Sequence, residues 1–170
     1  MKIFIMRHGE AAEIAGDDCL RPLTEQGALE TKLMGKWLLD NKHKRLSVFV
    51  SPYLRAQQTC ANVSSLLLKE SWFMNQPETL DFISPSGNVK HAHDFLDGVL
   101  SEINDSNIDV EPSILFVSHM PFVSYFVAEL TDKIQMPIFP TGAIAVIDYD
   151  TLRMQGQLLG MVSPQCLNLK

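Results

Sequence analysis

The chain has 170 residues, 46% of them apolar and 20% charged, the balance of an ordinary globular domain with enough length to bury a core. Its 14 Lys and Arg against 20 Asp and Glu leave a net charge of −6, which argues against a nucleic-acid partner, since that needs a basic face. No apolar run approaches membrane-spanning length, and the four apolar residues after Lys2 are interrupted by Arg7 and His8 before they can form a signal peptide, so a cytoplasmic protein with no membrane partner is expected. The three cysteines, Cys19, Cys60 and Cys166, are odd in number and far apart, and form neither a CxxC pattern nor a disulfide framework.

Ile3-Phe4-Ile5-Met6 reads as a short strand buried on both faces, and it stops at Arg7-His8-Gly9. Gly9 permits a sharp turn or a close approach to a ligand there. Residues 10–23 lack periodicity and read as a loop. Thr24 is a candidate N-cap with Glu25 in the first turn of a helix that runs to about Asp40, its apolar stripe being Leu29, Leu33, Met34, Trp37 and Leu38. After a charged connection at 42–45, Leu46 to Val50 is a second strand, ended by Ser51-Pro52.

A second helix spans about 54–68 with Ala56, Thr59, Cys60, Val63, Leu66 and Leu67 on one face, Cys60 reading as a small core residue. A weaker strand lies around Glu78 to Phe82, followed by a loop at Ser84 to Gly87. A third helix, about 88–104, carries Val89, Ala92, Leu96, Val99 and Ile103 on its apolar side. His91 and His93 lie in it, two apart, a spacing that points the rings away from each other and disfavours a metal pair. Residues 105–112 form a polar connection to Ile114-Leu115-Phe116-Val117, the strongest strand in the chain, which runs into Ser118-His119. A helix with Phe122, Val123, Phe126, Val127 and Leu130 on one side follows, then strands at about 143–149 and 154–162, with a hairpin turn at Asp148 to Leu152 that makes the last strand an antiparallel edge. Strand–helix repeated four times, then two strands, predicts a single α/β domain over 1–170, a three-layer sandwich with a mostly parallel central sheet and helices on both faces.

In such a sheet the ligand crevice lies beyond the carboxyl ends of the strands. Arg7-His8 ends the first strand, Arg55 lies just past the second, and His119 ends the strand at 114–117. A lone His at a strand end is usually a structural group and a lone Arg a surface charge. Several of them at termini that a parallel sheet aligns along one edge instead make an oxyanion pocket, because the rigid arginine fork donates two parallel hydrogen bonds to a phosphate. Only five arginines are present, Arg7, Arg21, Arg45, Arg55 and Arg153, which suggests one focused positive site on an acidic molecule.

Arg7-His8-Gly9, Ser51-Pro52-Tyr53-Leu54-Arg55-Ala56-Gln57-Gln58-Thr59 and Val117-Ser118-His119, in this order and spacing, resemble the histidine phosphatase superfamily, with its phosphoglycerate-mutase-like fold. Arg21-Pro22-Leu23-Thr24-Glu25-Gln26-Gly27 is similar to the family's segment opening the first helix, and the short length most resembles its SixA-type phosphohistidine phosphatases. The resemblance implies that His8 attacks phosphorus and is transiently phosphorylated, with Arg7, Arg55 and His119 holding the phosphoryl oxygens and Arg21 either a further phosphate or substrate contact or a structural residue of its loop. It implies no metal and no cofactor. The two guanidiniums should keep His8 neutral, and its second ring nitrogen should donate to a backbone carbonyl.

Many members carry a Glu or Asp as general acid in the segment matching Asp81 to Asn88. Here Pro85 holds the corresponding place and Asp81 is out of register. A phosphate ester needs its alkoxide leaving group protonated, whereas imidazole leaves more readily, so the missing acid favours a P–N substrate. The loop at 83–88 is also too short for a lid, which suits a phosphorylated histidine projecting from a phosphotransfer domain or phosphocarrier protein. The alternative is a small-molecule phosphomonoesterase using the same His8. A mutase would need a lid to retain its intermediate, and a non-catalytic binding module would not need the intact His8, Arg7, Arg55 and His119 set.

Overall fold

The computed structural model describes residues 1–13, 16–41, 45–67, 76–104, 112–131 and 136–167. Its strands are β1 (Lys2–Arg7), β2 (Leu46–Val50), β3 (Glu78–Thr79), β4 (Ser113–Ser118), β5 (Ile144–Asp150) and β6 (Gln155–Val162), and its helices are α1 (Glu25–Asp40), α2 (Leu54–Leu67), α3 (Val89–Asn104), α4 (Phe122–Leu130) and α5 (Pro164–Leu167). They form one six-stranded sheet in the order β3-β2-β4-β1-β5-β6. The expected connections at 42–44 and 105–111 and the side chain of Ile103 lie outside the described residues.

β1, β2, β3 and β4 run parallel, and their register aligns the functional ends. Arg7 pairs with Ser118 across β1 and β4, and Val50 pairs with Val117 across β2 and β4. Side chains alternate between faces along each strand. Ile3, Ile5, Ile114 and Phe116 therefore enter one core layer with Ala92 and Leu96 of α3 and Phe122 and Phe126 of α4. Phe4, Met6, Leu115 and Val117 enter the other, with Met34 and Leu38 of α1 and Ala56, Cys60 and Val63 of α2. Burial on both faces explains why β1 and β4 read as unbroken apolar runs.

Three details differ from the sequence reading. β3 pairs for only two residues. Its ladder ends where Leu80 N–H donates to Val50 O, and Asp81–Ile83 then wind into a 3-10 turn that buries Ile83. The first reversal of direction comes at β5, which is antiparallel to β1, and β6 then pairs antiparallel with β5 at the edge. Ile144 opens β5 opposite Met6, so the chain enters it at the end where β1 stops and has no need to cross back over the sheet. On α1, Leu29 is 63% exposed while Glu30 and Thr31 are buried. The helix is turned by its first contact. Thr24 Oγ accepts the Gly27 N–H at 2.9 Å, and Glu30 Oε2 accepts the Glu10 N–H at 3.1 Å, which draws Glu30 inward.

Candidate active site

Four segments meet at the carboxyl edge of the sheet. His8 continues the β1 pairing by one residue, its N–H donating to Ser118 O and its carbonyl accepting from Gly142 N, each at 3.0 Å. Ser51 N–H donates to Val117 O at 3.0 Å, which fixes the start of α2 and so the place of Arg55 in its first turn. Gly9 is needed for packing against α1: a Cβ there would lie 2.5 Å from Gly27 O, and a Cβ on Gly27 would run into the Glu10 backbone. The close approach expected of Gly9 is thus to a helix, and it seats β1 against α1 directly behind His8.

Arg7, His8, Arg55 and His119 come together here. His8, Arg55 and His119 are 6%, 3% and 1% exposed, and the two imidazole centroids are 5.0 Å apart. His8 Nδ1 lies 2.7 Å from Gly9 O. A carbonyl only accepts, so Nδ1 carries the hydrogen and Nε2 presents its lone pair, toward which Arg55 Nε–H points at 3.1 Å. Burial, more than the neighbouring Arg55, Arg7 and Arg21, pushes the His8 pKa down to about 4, against the opposing pull of the Gly9 bond. The guanidiniums help keep the ring neutral, as expected, with burial the larger cause.

His119 Nε2 lies 2.7 Å from Ser51 Oγ, which also accepts the Tyr53 N–H at 3.4 Å. The Ser51 hydroxyl donates to Nε2 when Nδ1 carries the ring hydrogen and accepts from it in the other tautomer. Burial, then His8 and Arg55, lower the His119 pKa to about 2, so this ring is neutral. Its Nδ1 is buried without a hydrogen-bond partner, and so is Arg7 Nε. Arg7 is anchored by Nη1, which donates to Phe139 O at 2.6 Å. Buried polar atoms left unpaired cost about 1–3 kcal/mol each, and a cluster of them marks a place where a polar ligand belongs.

Arg21 reaches this cluster through Asp18. The Asp18 carboxylate forms an ion pair with Arg21 Nε at 2.7 Å, without hydrogen-bond alignment, and accepts Arg55 Nη2 at 2.9 Å. Tyr53 packs under both functional groups, with Arg55 Cζ 4.9 Å from its ring centroid and the His119 ring also at 4.9 Å. Asp18, Ser51 and Tyr53 carried no assigned role in the sequence reading. An acidic residue three before a placed arginine was the available signal for Asp18; the Ser51 contact spans 68 positions and has no local signature.

The segment expected to hold a general acid is drawn against β4 by Ser118 Oγ, which donates to Ile83 O at 2.6 Å. Asp81 is exposed on its turn, and among the described residues the segment places no carboxylate in hydrogen-bond contact with Arg7, His8, Arg55 or His119. His91 stacks on Phe82 at 4.2 Å while His93 bonds Tyr149 OH at 2.7 Å, so the two rings do point apart. A recess of about 360 Å³ lined by Asp148, Asp150 and Arg153 lies toward the opposite end of β1, where two carboxylates make it unsuited to an anion.

The model of the histidine phosphatase superfamily (branch 1) matches residues 3–75, which include Arg7, His8, Arg21 and Arg55. The chain is 39% identical to phosphohistidine phosphatase SixA of Escherichia coli (strain K12), over 88% of its own length and 86% of that protein. It is 37% identical to a phosphohistidine phosphatase SixA homolog of Haemophilus influenzae, over 88% and 89%. The solved structure of the protein histidine phosphatase SixA complexed with tungstate superposes on all of both chains with a TM-score of 0.84 at 37% identity. With relatives this similar over nearly their whole length, and with the Arg7, His8, Arg55 and His119 cluster at the sheet edge, the chain belongs to the histidine phosphatase superfamily.

Proposed function

We propose that the protein hydrolyses the P–N bond of a phosphorylated histidine on another protein, with His8 as nucleophile. The observation that carries this reading is the His8 ring itself. It is neutral, its tautomer is set by Gly9, its Nε2 lone pair faces Arg55 Nε–H, and the His119 ring, 5.0 Å away between centroids, has a buried nitrogen with no partner. In the first step the Nε2 lone pair forms a bond to phosphorus. The P–N bond to the substrate imidazole breaks, and its electron pair stays on that ring, which leaves as neutral imidazole when its other nitrogen is protonated. Arg55 Nε–H then turns from Nε2 to a phosphoryl oxygen, with Arg7 and, in its Nδ1–H tautomer, His119 completing the grip. Water next attacks phosphorus, the P–Nε2 bond breaks, and inorganic phosphate departs. Positioning and electrostatic stabilisation account for most of phosphoryl-transfer catalysis, and this cluster supplies both without a general acid.

Two findings support the substrate class. The site segment at 81–88 brings no carboxylate to the cluster, which favours an imidazole over an alkoxide leaving group. The similar proteins of Escherichia coli and Haemophilus influenzae carry the name phosphohistidine phosphatase, and the solved relative holds tungstate, a tetrahedral oxyanion. Assaying histidine-phosphorylated phosphotransfer domains and phosphocarrier proteins against a panel of sugar phosphates tests the reading. Turnover of at least one phosphoprotein about 100-fold above every ester is expected. Preference for an ester would establish a small-molecule phosphomonoesterase instead.

A further inference from the structure

We propose that Asp18 is the positioning residue that aims Arg55 at the phosphoryl group. This rests on the reading that Arg55 grips that group. A guanidinium has five N–H donors in a fixed plane. Nη1 and Nη2 form its end fork, and Nε with the second hydrogen of Nη2 forms its side fork. Residue 18 fills the end fork completely: its backbone carbonyl accepts Nη1 at 2.6 Å and its carboxylate Oδ2 accepts Nη2 at 2.9 Å. The side fork is thereby turned toward His8, where Nε–H already points at 3.1 Å. That edge can take two phosphoryl oxygens while Asp18 keeps its own two bonds.

The second carboxylate oxygen is ion-paired with Arg21 Nε at 2.7 Å, so one side chain sets the spacing of two guanidiniums. Asp18 is itself held. It opens a 3-10 turn capped by Asp17, whose carboxylate accepts the Cys19 N–H at 2.9 Å. Burial opposes ionisation of Asp18, but the bonds and charges of Arg55 and Arg21 outweigh it and lower its pKa, so the clamp stays charged at neutral pH. An asymmetry completes the picture: the Arg55 side chain is 3% exposed and that of Asp18 is 55% exposed. The buried cation is steered from outside by a residue that need not touch substrate.

A double-mutant cycle tests this. Two readouts are used, single-turnover transfer of phosphoryl from phosphoramidate to His8 and calorimetric binding of orthovanadate. Asp18→Ala should slow transfer and weaken orthovanadate about 10-fold each, a partial loss because the residue 18 carbonyl remains. Asp18→Asn, which keeps one acceptor oxygen but sets an amide against a guanidinium, should fall between the two, and serves if Asp18→Ala does not fold. In an Arg55→Lys background, where there is no fork to aim, Asp18→Ala should change either readout by less than about 2-fold. Unchanged readouts in Asp18→Ala, a gain in orthovanadate affinity, or an equal loss in both backgrounds would overturn the proposal. The last result would mean that Asp18 acts through Arg21 or supports the loop, and not through Arg55. Wild-type protein that binds orthovanadate in an Asp18-dependent way yet transfers no phosphoryl would uphold the clamp and remove the proposed activity.

Discussion

Burial and the surrounding guanidiniums act on His8 in one direction, lowering its pKa from 6.5 to about 4, and they act on His119 in the same sense, to about 2. The sign has a consequence for stability. Above pH 6.5 both rings are neutral whether folded or not. Below it the unfolded chain takes up protons that the native rings refuse, so their contribution to stability is lost as pH falls from 6.5 toward the folded values. In an NMR titration of the native protein the His8 and His119 ring signals should hold the neutral shift from pH 8 to pH 5; a midpoint near 6.5 for either would contradict the site as described. Ser51→Ala removes the hydroxyl that bonds His119 Nε2 and leaves that nitrogen unpaired. Urea unfolding should show a loss of about 1–3 kcal/mol, and kcat/KM should drop about 10-fold. Wild-type activity would show that His119 needs no orientation. His8, Arg55 and His119 were legible in the sequence because each follows a strand end or opens the helix after one. Ser51 and Asp18 were not, because their partners are set by the meeting of distant segments.

Among the elements, the β1–α1 junction controls the site most tightly. Gly27 faces the Glu10 backbone with no room for a side chain, and Glu30 caps the Glu10 N–H from the same helix. Helix propensity alone would favour Gly27→Ala by about 1 kcal/mol. Overpacking against backbone that cannot move aside costs about 1–3 kcal/mol, and here the clash is severe. Gly27→Ala should therefore lower stability by about 1–2 kcal/mol in urea unfolding, as the difference of the two effects, and displace His8 enough to reduce activity. A more stable variant would show that the junction yields. Helix periodicity placed α1 and its Thr24 cap well, but it put Leu29 inward and left Glu30 unremarked. Hydropathy cannot register a carboxylate that is buried to satisfy a backbone N–H. β3 was over-extended for a similar reason: Leu80 to Ile83 is apolar enough for a strand, yet its buried residues are reached through a turn.

Across the molecule, the parallel strands β1, β2 and β4 align the groups at their carboxyl ends along one edge of a mixed sheet. Unbroken apolar strands made that sheet readable, since only burial beneath helices on both faces explains them. The direction of β5 was not readable, because it depends on which end of the sheet the chain returns to. On a chain of net charge −6, Arg7, Arg55 and Arg21 bring three cations to bear on His8. The proposed mechanism uses an imidazole and guanidiniums alone, so dialysis against a strong chelator should leave turnover within about 2-fold of the untreated protein. Activity lost to the chelator and restored by a divalent ion would demand a metal in the reaction. Among the described residues no helix is long and apolar enough to cross a membrane.

In the proposed mechanism His8 carries the phosphoryl group on Nε2, because Gly9 O holds the hydrogen of Nδ1. Rapid-quench trapping of the protein with a phosphorylated donor, followed by phosphorus–proton correlation NMR of the His8 peptide, reads the modified nitrogen directly. An acid-labile phosphoryl group on Nε2 of His8, absent from His8→Ala, is the predicted result. A phosphoryl group on Nδ1, on another residue, or on none while turnover continues would contradict the mechanism.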